Sequence, residues 1–371
     1  MTRPGGWLFW RLLLGATALT FGGTSLGSEP VRLGVAGLTH THVHWIFESA
    51  RHRDDFEIVG IAEPNRELAE RYSRRHGFDM ALVHDSLETM LDVARPDGVT
   101  AFGTIREHLA VVEAAAPRGI HVMVEKPLAV SLGHARAMAQ LAEAHDIHLL
   151  TNYETSWYPS HHAARNLVGA GGLGDLRKMV FHHGHAGPIA LDINREFLDW
   201  LIDPYWNGAG ALTDFGCYGA NLAVWFTSGR RPVSVTAVTQ QFQPKRYLAV
   251  DDEATIIIAW EDAQAIVQAS WNWPVARKDM ELYGTRGQLL APDGNTLRLR
   301  LGDDDPGSTP EVSSLIPPDD DPFSWFAAVI RGENAVAPWS PGALDNNLLV
   351  MEILQAAMDS AARGERVELD P

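Results

Sequence analysis

The run Val122-Met123-Val124-Glu125-Lys126-Pro127 sets a lysine and a carboxylate side by side at the end of an apolar, β-branched stretch. A lysine leaving a buried strand beside an acid is placed for proton transfer, because burial and neighbouring charge can bring its pKa towards neutrality. Pro127 fixes the next φ and can set a cis bond, so the lysine would stand on a rigid turn. The same residues could instead form an ordinary strand-end salt bridge, since structural ion pairs also perturb pKa values. A second chemical feature is the turn Gly37-Leu38-Thr39-His40-Thr41-His42. A dinucleotide fingerprint puts glycines at its first, third and sixth positions, for the tight turn, the approach of diphosphate and helix packing. Gly37 meets the first. Thr39 stands at the second and can still donate to a phosphate oxygen, and His42 stands at the third. Glu63 follows Gly37 by 26 residues, in the place of the acid that accepts from a ribose 2′-hydroxyl, which favours NAD over NADP.

These residues need a frame. Apolar β-branched runs at 31–36, 57–62, 98–102, 121–124 and from 148 alternate with helical patterns at 41–52, 66–76, 107–118 and 132–145. That alternation predicts a parallel, doubly wound sheet closing near residue 150. Beyond it the character changes. Period-2 or continuous apolar stretches at 178–182, 233–238, 254–260, 265–271, 280–283 and 297–301 predict one large, mostly antiparallel sheet. An acidic, proline-rich loop covers 302–322, and an amphipathic helix spans 345–362. The fold class is therefore α/β: a Rossmann-like domain over 29–150, then an α+β domain with an open-faced sheet over 151–371. The segment Gly169-Ala170-Gly171-Gly172-Leu173-Gly174 spells the glycine fingerprint in full, but it follows a helix and precedes a strand. It reads as a helix-terminating turn.

Composition narrows the partners. The chain has 371 residues, 46% of them hydrophobic, enough for two cores, and its net charge of -17 argues against nucleic acid and anionic membrane surfaces. Residues 1–28 read as a secretory signal peptide: Arg3 and Arg11, a short apolar core over 12–21, then Ser25-Leu26-Gly27. A retained N-terminal anchor is the alternative. The mature chain is expected to be periplasmic or secreted, with no other membrane segment. Its single cysteine, Cys217, forbids internal disulfides.

Val124-Glu125-Lys126-Pro127-Leu128-Ala129, Gly210-Ala211-Leu212-Thr213-Asp214-Phe215-Gly216-Cys217-Tyr218 and Glu281-Leu282-Tyr283-Gly284-Thr285-Arg286-Gly287 together resemble the Gfo/Idh/MocA oxidoreductases, over nearly everything after the leader. The resemblance implies NAD or NADP on the first domain, a homo-oligomer built on the second, and a small carbohydrate or polyol as substrate. It implies that Lys126 contacts the reacting hydroxyl, with Glu125 and Lys126 also on the cofactor side. Asp214 would orient the sugar or the lysine. Tyr218 stands where many relatives carry a histidine, closer to the glucose–fructose oxidoreductase pattern. A tyrosine near an ammonium can have a depressed pKa and take the alcohol proton. Packing on Trp225 is its structural alternative. Relatives often have Pro-Asn four residues before a histidine; here Thr104-Ile105-Arg106-Glu107-His108 keeps the histidine alone, so Thr104 and His108 are the expected nicotinamide-side residues.

His40, His42 and His44 alternate, and His182, His183 and His185 form a second cluster. His40 and His44 would share a helical face and could bind a transition metal. No metal site is expected, because a histidine-rich stretch is merely suggestive, no cysteine assists, and spacing alone cannot place matching carboxylates; phosphate contact by His40 and His42, and sugar contact by His183 and His185, are the favoured readings. Trp157, Tyr158, Tyr205 and Trp206 are candidates for stacking on a sugar ring. The expected activity is hydride transfer between NAD(P) and a sugar or polyol, with Lys126 and Tyr218 handling the proton. Export would require a tightly held cofactor regenerated within one cycle. A metal-dependent lyase or hydrolase on the same fold, and a non-catalytic sugar-binding protein, are the alternatives.

Overall fold

The computed structural model describes residues 29–370, so the leader assigned to 1–28 lies outside the described residues. The first sheet holds β1 (Val31–Ala36), β2 (Phe56–Ala62), β3 (Val83–His84), β4 (Gly98–Ala101), β5 (His121–Glu125) and β6 (Leu149–Asn152). All are parallel, in the order β3-β2-β1-β4-β5-β6. Strand β4 is buried at every position, as is β5 after its first residue, which is why these segments read as continuous apolar runs rather than alternating ones. The order reverses beside β1, so the loops leaving β1, β4 and β5 gather at one crevice, the usual ligand position of such sheets.

The second sheet holds β7 (Leu176–Gly184), β8 (Ser234–Gln240), β9 (Glu253–Ala259), β10 (Gln264–Ser270), β11 (Arg277–Gly284), β12 (Gln288–Asp293), β13 (Thr296–Arg300) and β14 (Val367–Glu368). Its order is β13-β12-β11-β7-β10-β9-β8-β14, antiparallel except for the pair of β7 and β10. The motif 281–287 forms the hairpin between β11 and β12. Strands β9 and β10 alternate buried and half-buried positions, so one face carries the core. Helix Gly216–Phe226 lies on that face and is buried along its whole length. Gly219 allows this approach, since a Cβ there would stand 2.5 Å from Val267 Cγ1. Helix Leu344–Arg363 covers the same layer.

The tight turn expected at 169–174 terminates helix Pro159–Gly169, with Gly171 and Gly174 at φ +73° and +71°. Two elements differ from the sequence reading, and the acidic loop is tied down. The helix expected at 41–52 is only Val43–Ser49; ahead of it, the His40 N–H bonds to the Phe102 carbonyl and the His42 N–H to the His40 ring, which hold this stretch in a turn. The acidic loop is anchored by the Arg53–Asp320 pair and a Leu299–Ser308 bridge. Helix Pro322–Ile330, unforeseen, returns to the first sheet and inserts Phe323 and Phe326 beside Leu33 and Phe56.

Candidate functional site

Lys126 leaves the end of β5, and its peptide bond to Pro127 is cis. The ammonium is buried and donates to Asp214 Oδ1 at 2.6 Å and to the Asp214 carbonyl at 3.0 Å. Asp214 ends the short helix Ala211–Asp214, and its other oxygen accepts the Trp271 indole N–H at 2.9 Å. Burial favours the neutral amine, but the Asp214 carboxylate outweighs it and holds Lys126 above its ordinary pKa. Burial likewise favours a protonated acid at Asp214, yet Lys126 pulls it below the usual carboxylate value. The expectation of a lysine brought towards neutrality is therefore corrected: the pair is an ammonium and a carboxylate, each satisfied by the other.

Tyr218 is also corrected. Burial, followed by the acids Glu154, Asp214 and Glu125, pushes its phenol far up, so it stays protonated. Lys126 meets the ring rather than the hydroxyl, with Nζ 5.0 Å from the centroid, and Lys278 Nζ lies 4.9 Å from the same centroid. His183 stacks on this ring at 5.4 Å. Tyr218 is thus a cation-holding surface that links Lys126 to the wall of the neighbouring cleft.

That cleft has a volume of about 630 Å³ and is lined by Glu154, Tyr158, His185, Phe215, Lys278 and Asp279, among others. Lys278 pairs with Glu154, which also accepts from the Tyr158 hydroxyl at 2.6 Å. His185 is lowered chiefly by burial, and its Nδ1 accepts the Gly187 N–H at 2.9 Å, leaving Nε2 as its donor. Of the four aromatic residues expected to stack on a ring, only Tyr158 reaches this cleft. Trp157 faces another cavity, and Tyr205 is exposed, with Arg106 over its ring at 3.9 Å. Lys278, Glu154 and Trp271 carry no local motif; their roles arise from the pairing of β7 with β11 and of β9 with β10.

At the crevice, Glu63 directly follows β2 and accepts the Leu38 N–H at 3.0 Å and the Asn65 N–H at 2.8 Å. Gly37, at φ +83°, packs on Gly103, where a Cβ would come within 2.8 Å of backbone nitrogen. A neighbouring cavity of about 260 Å³ is bounded by Gly37, Ala62, Ser86, Gly103, Glu107 and His108. Thr104 caps the turn Ile105–Glu107 through a reciprocal box with Glu107. His108 is lowered to about 4, mainly by burial, and donates from Nδ1 to the Leu128 carbonyl at 3.1 Å, bracing the turn that follows Lys126. The Thr39 hydroxyl is buried and has no partner.

The histidines regroup. His44 pairs with His76 at 2.7 Å and not with His40, and His182 faces Asp279 at 3.2 Å. His42 Nδ1 instead meets Glu125 Oε2 at 2.8 Å, and His40 lies beside them. Sequence spacing could not place a carboxylate beside these imidazoles; the fold brings Glu125 to them from the end of β5.

Residues 31–153 match the family model described as oxidoreductase family, NAD-binding Rossmann fold, and residues 161–290 match the GFO/IDH/MocA C-terminal domain. The chain is 27% identical over 247 residues to a trans-1,2-dihydrobenzene-1,2-diol dehydrogenase of Oryctolagus cuniculus, covering 65% of this chain and 69% of that one. It is 24% identical to a dTDP-3,4-didehydro-2,6-dideoxy-alpha-D-glucose 3-reductase of Saccharopolyspora spinosa, covering 71% and 74%. In fold it is similar to an inositol dehydrogenase homolog complexed with NAD+ from Azotobacter vinelandii, with TM-score 0.80 and 21% identity, covering 92% and 98%. It is also similar to an aldose-aldose oxidoreductase from Caulobacter crescentus, with TM-score 0.78 and 21% identity, covering 92% and 100%. With both halves of the family's architecture matched in order, the chain belongs to the Gfo/Idh/MocA oxidoreductases, an NAD-binding Rossmann domain followed by the family's C-terminal domain.

Proposed function

We propose that this protein is an NAD(P)-dependent dehydrogenase of a sugar or polyol, with Lys126 as the acid at the reacting oxygen. The observation that carries this reading is the buried Lys126–Asp214 pair at 2.6 Å, set at the end of the inner Rossmann strand β5 and joined through Tyr218 to a cleft lined by Glu154, His185 and Lys278. The residues of the crevice fit a dinucleotide. Gly37, Ser86 and Gly103 leave room for an adenosine, Glu63 keeps lone pairs for ribose hydroxyls, and its charge disfavours a 2′-phosphate. The unpartnered Thr39 hydroxyl supplies the phosphate donor that a glycine turn would supply from its backbone. Bound there, the nicotinamide would provide the hydride acceptor or donor.

The rest is the work of this chain's side chains. As an ammonium, Lys126 donates a proton to an oxygen that gains charge as its carbon is reduced, while Asp214 keeps the charge on the amine and fixes its direction. In the oxidative direction, Lys126 must lose a proton before it can accept one. Glu154, Lys278 and the His185 Nε2–H offer both donors and acceptors to ring hydroxyls, and Tyr158 offers an aromatic face. Relatives named for an inositol and for an aldose agree with a polyhydroxylated substrate. The expected leader and the homo-oligomer belong to the same proposal: an exported enzyme that keeps its cofactor between half-reactions. Mass spectrometry of small molecules released from the native protein tests it, with nicotinamide dinucleotide expected. If none is released, and neither added NAD(H) nor NADP(H) binds, the proposal fails.

A further inference from the structure

His40, His42 and Glu125 come from two separate segments, the loop after β1 and the end of β5, and their ligand atoms all lie within 4.8 Å of one another. Two imidazoles and a carboxylate form a donor set suited to a borderline divalent cation. Such sites hold their ligands in place through outer contacts; here Glu125 is held by a hydrogen bond from outside the cluster, and the two imidazoles by packing against aromatic rings. Glu125 accepts the Asn152 amide N–H at Oε1 (2.8 Å), and Asn152 in turn accepts the Trp157 indole N–H at 2.9 Å. That chain leaves Oε2 turned to His42. The His42 ring stacks on Trp45 with centroids 3.8 Å apart, and the His40 ring packs against Phe197 and Trp200, with centroids 4.7 and 5.7 Å away.

Charge points the same way. Glu125 is 2% exposed, and its direct side-chain partners are an amide and an imidazole. The nearest ammonium in sequence, Lys126, is bonded to Asp214. A buried carboxylate without a bonded cation is costly, and a coordinated ion removes that cost.

We propose that His40, His42 and Glu125 bind one divalent transition-metal ion, of the zinc or cobalt class, beside Lys126. The three protein ligands leave coordination positions open for water or a substrate oxygen, the pattern of a catalytic rather than a structural site. An ion there would act as a Lewis acid on an oxygen held at one of those positions. Loading requires the His40 ring to release the His42 amide N–H, which its Nδ1 accepts at 3.1 Å, and the ion to replace the hydrogen bond between His42 Nδ1 and Glu125 Oε2 at 2.8 Å. This site goes beyond the dehydrogenase reading and does not depend on it, because metal uptake is measured without substrate or dinucleotide.

The test uses the full mature chain, stripped with chelator and titrated with Zn²⁺ by calorimetry and with Co²⁺ by visible absorption. One equivalent per chain is expected. His42→Ala and Glu125→Gln, which remove direct ligands, should each weaken uptake by more than the about 10–100-fold that losing a mere supporting contact costs, with melting curves confirming that they fold. His182→Ala, in the other histidine cluster, should bind as the parent does. Uptake well below one equivalent in the parent overturns the site. So does equal uptake by His42→Ala and Glu125→Gln, or loss of uptake in His182→Ala.

Discussion

At the scale of single residues, the charge on Lys126 is what separates an acid from a base, and Asp214 sets it. With the lysine held above its usual value, its protonated form prevails through neutral pH. In the reductive direction kcat/KM should stay flat up to the ordinary lysine range of about 10 and fall only as pH rises through the higher folded value. A pH–rate profile with a loss near neutrality would sink the assignment of Lys126 as the acid. Replacing it tests the pair from the other side. Lys126→Met should lower kcat/KM by about 10²–10⁴-fold. It also leaves Asp214 buried and unpaired, at a cost of about 3–5 kcal/mol in denaturant melts. Adding Asp214→Asn should restore part of the stability and none of the rate. If the double variant regains activity, the pair is structural only.

At the scale of elements, the helix Gly216–Phe226 and the sheet beneath it fix where Tyr218 stands. Gly219→Ala places a Cβ 2.5 Å from Val267 Cγ1 and should cost about 1–3 kcal/mol by pushing the helix off β10. The same shift moves Tyr218, so kcat/KM should drop as well; a variant with parental stability would show that this contact relaxes freely. Buried imidazoles on other elements set an acid limit. Burial lowers His108 to about 4 and His161 to about 3, while an unfolded histidine titrates near 6.5. Because the folded values are depressed, the stabilisation these groups give is present above pH 6.5 and is lost as pH falls towards 4. Each contributes up to about 1.4 kcal/mol per pH unit across that window. Denaturant melts at pH 7.5 and 5.5 should show the loss, and equal midpoints would mean these histidines protonate in place.

For the whole molecule, the two sheets do not have independent cores. Helix Pro322–Ile330 belongs to the second half of the chain, yet it places Phe323 and Phe326 in the core of the first sheet. A Cβ on Gly98 would meet Ile330 Cδ1 at 2.7 Å and Phe326 Cε1 at 2.9 Å, so β4 is shaped to receive that helix. Removing it bares a broad apolar face, and buried area of this kind supplies most of a domain's stability. A fragment of residues 29–153 should therefore fail to melt cooperatively by circular dichroism, and the full chain should unfold in one transition. A fragment that melts near the temperature of the full chain would show that the first sheet needs no such cover.

The alternation of apolar strands and helical stretches was enough to define the parallel sheet, and the 281–287 turn marked a hairpin, because both are local patterns of period and turn chemistry. Glu125, Lys126, Asp214 and the weakened glycine loop were likewise legible as residue types. Their states were not. The ammonium at Lys126, the protonated phenol at Tyr218 and the contact between His42 and Glu125 depend on partners 83 to 92 positions apart or on burial by other elements. Lys278 reaches Glu154 across 124 positions and has no signature in its own strand. A sequence displays the groups that could carry charge. Only the packed chain decides which of them meet, which lose water and which keep their protons, because pairing and desolvation are properties of distance in space.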